Sequence, residues 1–469
     1  MSGRGRWGVV FAAASATGVV LSTVVASGRP ILASRWSLLW WLAGWSVAWV
    51  VAVVAAFHLP VRVAVPAVLV VGVMLRLAAL AGPPTTSDDL YRYSWDGRVQ
   101  AAGIDPYAQP PVSPALERLR EPWLWPDAQG CAAIHRPVGC TRINRPGQRT
   151  IYPPAAEAWF ASVYRVAGIG ARAKAWQVAG LLTELGTLAL LPLALRRWGR
   201  DPRWLALYAL GPAPVLEVVN NGHVDGLAVV CVVGALAVVG KPGDRRALVR
   251  DVAAGALLGA AFLVKLYPAI LLLAFVGAGP RRWVPVVRAA LAAAAVAVVA
   301  YLPHVVREGG HVVGYLPRYL REEHYTTGGR FLLASLARVP AGSAAAVSGV
   351  AVAGACAWVW WRRPPAPASA CLLVGAVLLA ASPVQPWYAV MLLAVAAIAG
   401  RPAWAAVVAA GYPYFFAVIL ASRHAAGLGE AAYATALVVV IVATARRSGS
   451  PSRRPAPVRS GATSSTRLA

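Results

Sequence analysis

The sequence predicts an all-α polytopic membrane protein with about 14 membrane helices and a large first extracytoplasmic loop. Three observations predict it. Of 469 residues, 59% are hydrophobic and only 13% are charged, against about 25% charged in a soluble domain, so the chain lacks the means to cover a wet surface. Apolar runs of about 20 residues recur from end to end, each long enough to cross a bilayer as a helix. Lipid offers no partners for backbone N–H and C=O groups, so these runs must be helical. The third observation is the placement of Lys and Arg along the chain.

In order, the apolar runs lie near 7–26, 36–57, 63–81, 171–195, 204–219, 224–240, 251–264, 266–279, 283–303, 341–361, 368–382, 387–400, 402–420 and 428–445. Several are shorter than a full span and read as broken or half-crossing elements. The first, Trp7 to Ser27, follows Arg4 and Arg6 in the manner of a signal peptide. Its apolar stretch is longer than a signal core, and removing it would break the charge parity, so it reads as a retained helix.

The net charge of +26 raises the question of a nucleic-acid partner, and its distribution argues against one. With the N-terminus inside, Arg196, Arg197, Arg200 and Arg203 share a side with Lys241, Arg245, Arg246 and Arg250. Arg281, Arg282, Arg362, Arg363 and the tail from Arg446 join them. The short connections Asn220–Asp225 and Ser382–Trp387 carry no Lys or Arg. This is the positive-inside asymmetry of a multi-pass protein of the cell (plasma) membrane, so the bilayer is the expected partner.

The chain divides into an integral domain, 1–445, and a tail, 446–469, rich in Ser, Pro and Arg without acidic residues, which reads as a disordered cytoplasmic extension. Two outer loops, 82–170 and 304–330, hold most of the polar residues. Cys131 and Cys140 close a short segment of the first loop; in an oxidising compartment they can pair, with two free thiols as the alternative. Cys231, Cys356 and Cys371 lie in apolar helices as small core residues.

The richest stretch for chemistry runs from Ser87 through Asp88, Asp89, Arg92, Tyr93 and Asp96, followed by Gly103-Ile104-Asp105-Pro106-Tyr107. As a helix it places Asp89, Tyr93 and Asp96 on one face, pairs Asp88 with Arg92, and takes Ser87 as its N-cap. Capping requires one carboxylate, not three among nine residues beside two Tyr and a Trp. Sugar transfer from a phospholipid carrier suits such a set. Phosphate leaves as a stable anion, so the need is for one base to take the acceptor hydroxyl proton, unlike the acid–base pair of a glycosidase. Aromatics stack on sugar faces, and Arg or Lys holds phosphate.

The Asp89-Leu90-Tyr91-Arg92-Tyr93 stretch and the Gly103–Tyr107 turn resemble the first outer loop of bacterial C-type (GT-C) polyprenyl-phosphate-sugar glycosyltransferases, in particular their mannosyltransferase-related branch. Tyr152-Pro153-Pro154, Asn221-Gly222-His223-Val224-Asp225, Lys265-Leu266-Tyr267-Pro268 and Pro386-Trp387-Tyr388 follow in the same order. The resemblance implies an extracytoplasmic site, a polyprenyl-phosphate sugar donor and an Asp base, Asp89 by register with the following Tyr and Asp88 as runner-up. Two helices before the usual first one, and a long first loop, depart from the pattern.

Lys265 interrupts an apolar stretch, where a charge near the bilayer centre costs about 3 kcal/mol; at an outer break between two short helices it is placed to meet donor phosphate, a snorkelling Lys being the plainer alternative. Substrate contacts are further expected from Tyr93, Asp96, Tyr107, His223, Asp225, Arg330, His324, Trp387 and Tyr388; the competing readings are an interface histidine for His223, a helix cap for Asp225 and a solvated loop surface for the 304–330 segment. Glu184 and Glu217, inside helices, read as structural hydrogen-bonding groups. No spacing implies a metal site, and a divalent ion stays open as a cofactor. The expected reaction is transfer of a sugar, mannose first, to an extracytoplasmic glycan or glycolipid. The rivals are an arabinofuranosyl (pentosyl) transferase with the same donor type and a transporter or flippase of lipid-linked sugars. A flippase places charges along a mid-membrane path, whereas here they gather in one loop.

Overall fold

The computed structural model describes residues 3–241, 244–277, 280–328, 330–420 and 423–448. The described residues are 76% helical, with no strand among them. Among the described residues, eight helices are long and apolar enough to cross a membrane: Gly3–Ser27, Ile31–His58, Val61–Ala81, Ala173–Arg197, Val284–Glu322, Ala341–Arg362, Pro402–Leu420 and Gly427–Arg447. The other expected runs become shorter elements. The 204–219 run breaks into Leu205–Ala209 and a π-helical turn, Pro214–Asn220, because Pro212 and Pro214 interrupt the helical ladder. The 251–279 region divides into Ala247–Phe262 and a 3-10 segment, Tyr267–Phe275, with Lys265 between them. Asp225–Val238, Ala366–Ala380 and Pro386–Ala399 are apolar but short.

The short elements survive without crossing lipid alone because they are enclosed by protein. Every residue of Ala389–Ala399 is buried, as is every residue of Pro214–Asn220. Irregular backbone at membrane depth is tolerated in such surroundings. Helix Val284–Glu308 is the opposite case, burying only Ala289 and Ala293. These two lie on Gly255 and Gly259, where an added Cβ would come within 2.2 Å of the Ala289 carbonyl oxygen and 2.8 Å of Ala293 Cα. Small residues on both helices therefore set the close approach.

The helices give the molecule two chemically distinct ends. Helix Ile31–His58, roughly 42 Å long at 28 residues, ties its first N–H to the Thr85 carbonyl at one end. At the other, His58 stacks on Trp7 at 4.0 Å, and Arg203 donates to the Phe57 and Leu59 carbonyls at 2.6 and 3.2 Å. Arg447 donates to Gly400 and Arg197 to Val239 in the same manner. A buried ion pair, Arg76–Glu184 at 2.6 Å, joins helices Val61–Ala78 and Ala173–Arg197 within the bundle, with Tyr208 donating to Glu184. Of the tail, residues 446–448 complete helix Arg423–Ser448; the rest of 446–469 lies outside the described residues. Cys131 and Cys140 form a disulfide. The 304–330 segment is more helical than its polar composition suggests: Val284–Glu308 continues past His304, and Leu316–Glu322 follows.

Candidate active site

The end opposite Arg203 contains a cavity of about 700 Å³. Its rim begins at Pro84–Ser87, held by two asparagines. Asn220 and Asn221 accept from the Thr85 N–H at 3.1 Å each, and Asn221 also accepts from the Thr86 N–H and donates to the Thr86 hydroxyl at 2.6 Å. The π-helical turn and the Asn221-Gly222 bend, where Gly222 has φ +70°, bring this amide pair to the loop. Helix Asp89–Ala101 starts from that anchored segment.

The cap differs from expectation. Asp88 occupies the N-cap without a side-chain cap bond, and Ser87 Oγ accepts the Asp89 N–H at 3.2 Å. The expected Asp88–Arg92 pair is not formed. Arg92 reaches one turn forward to Asp96 at 2.8 Å, while Asp88 turns to Arg136 at 3.6 Å and Asn144 at 3.1 Å. The reason is burial: Arg92 and Asp96 are both buried, and a buried charge requires a close partner, whereas Asp88 keeps its solvent contact.

Asp89 opens into the cavity with 19% of its side chain exposed. One carboxylate oxygen accepts from Asn144 at 2.7 Å and the other lies 3.6 Å from His223 Nδ1. Burial, followed by the negative charge of Asp88, raises its pKa to about 6; Lys265 and the Asn144 hydrogen bond pull the other way. His223 stacks on Trp387 at 4.1 Å, and its Nε2 lies 3.6 Å from Glu217. Glu217 also accepts from Tyr412 at 2.9 Å and Asn221 at 3.1 Å. Tyr93 stacks on Phe160 at 4.4 Å, its hydroxyl 3.5 Å from His223.

Lys265 lines the same cavity. Its ammonium is 3.5 Å from Asp225 and lies over the rings of Tyr388 (4.7 Å) and Tyr152 (5.5 Å). The helix break positions it: the Leu263 carbonyl accepts from Ala155 and Ala156, which clamps the break to the start of helix Pro154–Ala167. Asp225 is the first residue of its helix, and its carboxylate oxygens hold no hydrogen bond. Arginine side chains at 92, 136, 145 and 149 also face the cavity, across from Leu32, Phe415 and Ile419.

The structure thus gathers Asp89, Asp88, Tyr93, His223, Asp225, Lys265, Trp387 and Tyr388 in and around one cavity. Asp96 lies beneath it, aimed at a buried Glu157 whose carboxyl is pushed well above its ordinary range by burial and by Asp96. Glu157 accepts from Thr150 at 2.5 Å and Gln100 at 2.9 Å. Tyr107 donates to the Tyr152 carbonyl at 2.7 Å and serves as scaffold behind the wall. The His324 ring lies 3.3 Å from the Thr327 hydroxyl, and Arg330 pairs with Glu323 beside Tyr325; neither lines the cavity. Sequence reasoning missed Asn144, which holds both Asp88 and Asp89, and Arg145, which joins the first loop to Glu322 and Glu323. The signal available was the polar run Arg142–Thr150. Among the described residues no group of three or more His, Cys, Asp or Glu side chains could hold a metal ion.

Residues 150–383, just under half of the chain, match the family model Glycosyltransferase family 87. No curated protein and no solved structure matches. The matched stretch contains His223, Asp225 and Lys265, and it ends before Trp387; the Asp89 helix precedes it. Over that stretch the chain is similar to glycosyltransferases, and the match supports a membrane-embedded transferase acting on sugars.

Proposed function

We propose that this protein transfers a sugar, mannose, from a polyprenyl-phosphate donor to a glycan or glycolipid on the extracytoplasmic face of the plasma membrane, with Asp89 as general base. One observation carries the reading: a carboxylate and an ammonium, Asp89 and Lys265, line the same cavity. A base with pKa about 6 is ionised at neutral pH yet a better proton acceptor than an ordinary carboxylate, which suits general-base work.

In this mechanism the acceptor hydroxyl docks against Asp89. As its oxygen bonds to the anomeric carbon, the hydroxyl proton passes to the Asp89 carboxylate, and the bond from that carbon to the phosphate oxygen breaks. The electron pair leaves with the phosphate, whose charge Lys265 and the cavity arginines neutralise. Asn144 fixes one oxygen of the base, so the other is free for the proton. Tyr388 and Trp387 supply flat faces for the sugar. Asp88 is the runner-up base.

The test is the purified protein given radiolabelled polyprenyl-phosphate mannose or arabinose together with a membrane glycolipid extract. The expected result is mannose label in the glycolipid fraction. Label from arabinose alone would move the reading to a pentosyltransferase, and no transfer from either donor would overturn it. The outward orientation is checked with an Ala128→Cys variant, expected to react with an impermeant maleimide in intact cells.

A further inference from the structure

We infer that the loop closed by the Cys131–Cys140 disulfide is a clasp that holds Arg136 against Asp88, where its charge offsets the carboxylate standing beside Asp89. The inference rests on the proposed reaction and adds what sets the pH range in which the base works. Cys131 is buried in the short helix Ala128–Ala133, which Asp127 caps by accepting from the Gly130 N–H at 2.7 Å. The chain then reverses at His135, with φ +55°, and the Arg136 N–H returns to the Cys131 carbonyl at 2.9 Å. The guanidinium donates to the carbonyl of Thr141, the residue after Cys140. Arg136 is thus braced on both ends of the loop, and the disulfide joins those ends. From there the guanidinium lies 3.6 Å from Asp88 at the cavity wall.

Asn144, the other contact of the carboxylate pair, is fixed separately. Thr141 Oγ1 and the Arg142 N–H both donate to the Leu124 carbonyl at 2.8 Å, and Ile143 is buried. Opening the disulfide therefore frees Arg136 while Asn144 keeps its anchor. Asp89 faces Asp88 and Tyr93 on its own helix, and His223, Asp225 and Glu217 from the 217–225 turn. Lys265 faces it from the helix break, and Tyr152 and Tyr388 from the cavity wall. Lys265 is itself 3.5 Å from Asp225. Burial, and then the Lys265 charge, hold His223 well below its ordinary pKa, so it is neutral and adds no charge. Among the described residues, Arg136 is the cation paired with Asp88. Removing it leaves the Asp88 charge uncompensated beside Asp89, disfavours the ionised base and raises its pKa. Both side chains of the pair are partly exposed, 40% and 42%, so the effect is modest and screened by salt. The clasp precedes residue 150, outside the stretch similar to glycosyltransferases.

The experiment uses the full chain in nanodiscs and compares wild type with Cys131→Ser/Cys140→Ser, Arg136→Gln, Arg136→Lys and the triple variant Cys131→Ser/Cys140→Ser/Arg136→Gln. Two midpoints are read: the acid limb of kcat/KM, and the pH at which dicyclohexylcarbodiimide, which attacks protonated carboxyl groups, modifies Asp89 as located by peptide mass spectrometry. The double-serine variant and Arg136→Gln are each expected to move both midpoints up by about 0.3–0.6 pH unit. The triple variant should move them no further, because the disulfide acts through Arg136, and Arg136→Lys should stay near wild type. At about pH 8.5, where Asp89 is ionised in either case, the double-serine variant should keep kcat/KM within about twofold; at about pH 5.5 it should lose about two- to fourfold. Loss by the same factor at every pH would make the disulfide a staple of the loop and nothing more, and would overturn the inference. So would additive shifts in the triple variant, or unmoved midpoints in Arg136→Gln, which tests the idea alone if the double-serine variant does not fold. Carbodiimide midpoints that shift as expected in a wild-type protein that transfers no sugar would leave the clasp standing and sink the proposed reaction.

Discussion

The two ends of the bundle use their charged side chains differently. At the Arg203 end, guanidinium groups close on backbone carbonyls where helices stop: Arg203 on Phe57 and Leu59, Arg447 on Gly400, Arg197 on Val239. Those carbonyls have no partner within their helix, and a cation beside them also meets the negative end of the helix dipole. At the cavity end the charges face a void. The Asp225 carboxylate and the His223 Nε2 lack hydrogen bonds, as do Arg197 Nε and Arg200 Nε at the other end, and Asn144 donates to one Asp89 oxygen. Buried polar groups left short of partners are costly, and under the proposed function a substrate would complete those at the cavity. Charge at one end anchors; under the proposed function, charge at the other receives the substrate.

That contrast can be broken by substitution. The largest effect is expected at Asp89: Asp89→Asn keeps the shape but cannot take a proton, and kcat should fall about 10²–10⁴-fold with donor binding near wild type. Asp88→Asn, at the solvent-side member of the pair, should cost less than about tenfold. The reverse ranking would keep the mechanism and reassign the base. Next is Lys265→Ala, which should raise the donor KM about 10–100-fold, as expected for loss of a charge-assisted contact to phosphate. An unchanged KM in a folded variant would remove Lys265 from donor binding. Smallest in activity is Arg203→Ala. Its kcat should stay within about twofold, while the Tm falls by a few degrees from the loss of about 1–2 kcal/mol of hydrogen bonding. A dead but stable Arg203→Ala protein would erase the distinction between the ends.

How far the sequence foretold this is clearest from individual residues. The membrane class was legible because composition alone forbids a wet surface. That Asp89 would stand at a cavity was legible because a carboxylate cluster at the end of an apolar run has few structural uses, and its role is a proposal. Lys265 was legible as a charge interrupting an apolar stretch, but its partner Asp225 lies 40 positions away in the chain and no local pattern links them. Asn144 was hidden for the same reason: an amide in a Pro- and Arg-rich loop gains its role only when the loop folds back onto Asp88 and Asp89. The expected Asp88–Arg92 pair failed because helical spacing says which residues are neighbours, and burial decides which of them pair. The count of spans exceeded the long helices because hydropathy registers apolar runs, and Ala389–Ala399 is apolar through enclosure by protein on all sides.

The most direct test of Asp89 as the ionised base is the pH dependence of kcat/KM for the wild-type enzyme, which reports the free enzyme's essential groups. Because the base must be deprotonated and burial raises Asp89 to about 6, activity should be full at pH 7.5 and should fall with decreasing pH, with a midpoint about 6 and a limiting slope of one. The same limb should be missing from the residual activity of Asp89→Asn. A wild-type profile that stays flat down to about pH 4.5, well below that midpoint, or an acid limb that survives unchanged in Asp89→Asn, would contradict the account.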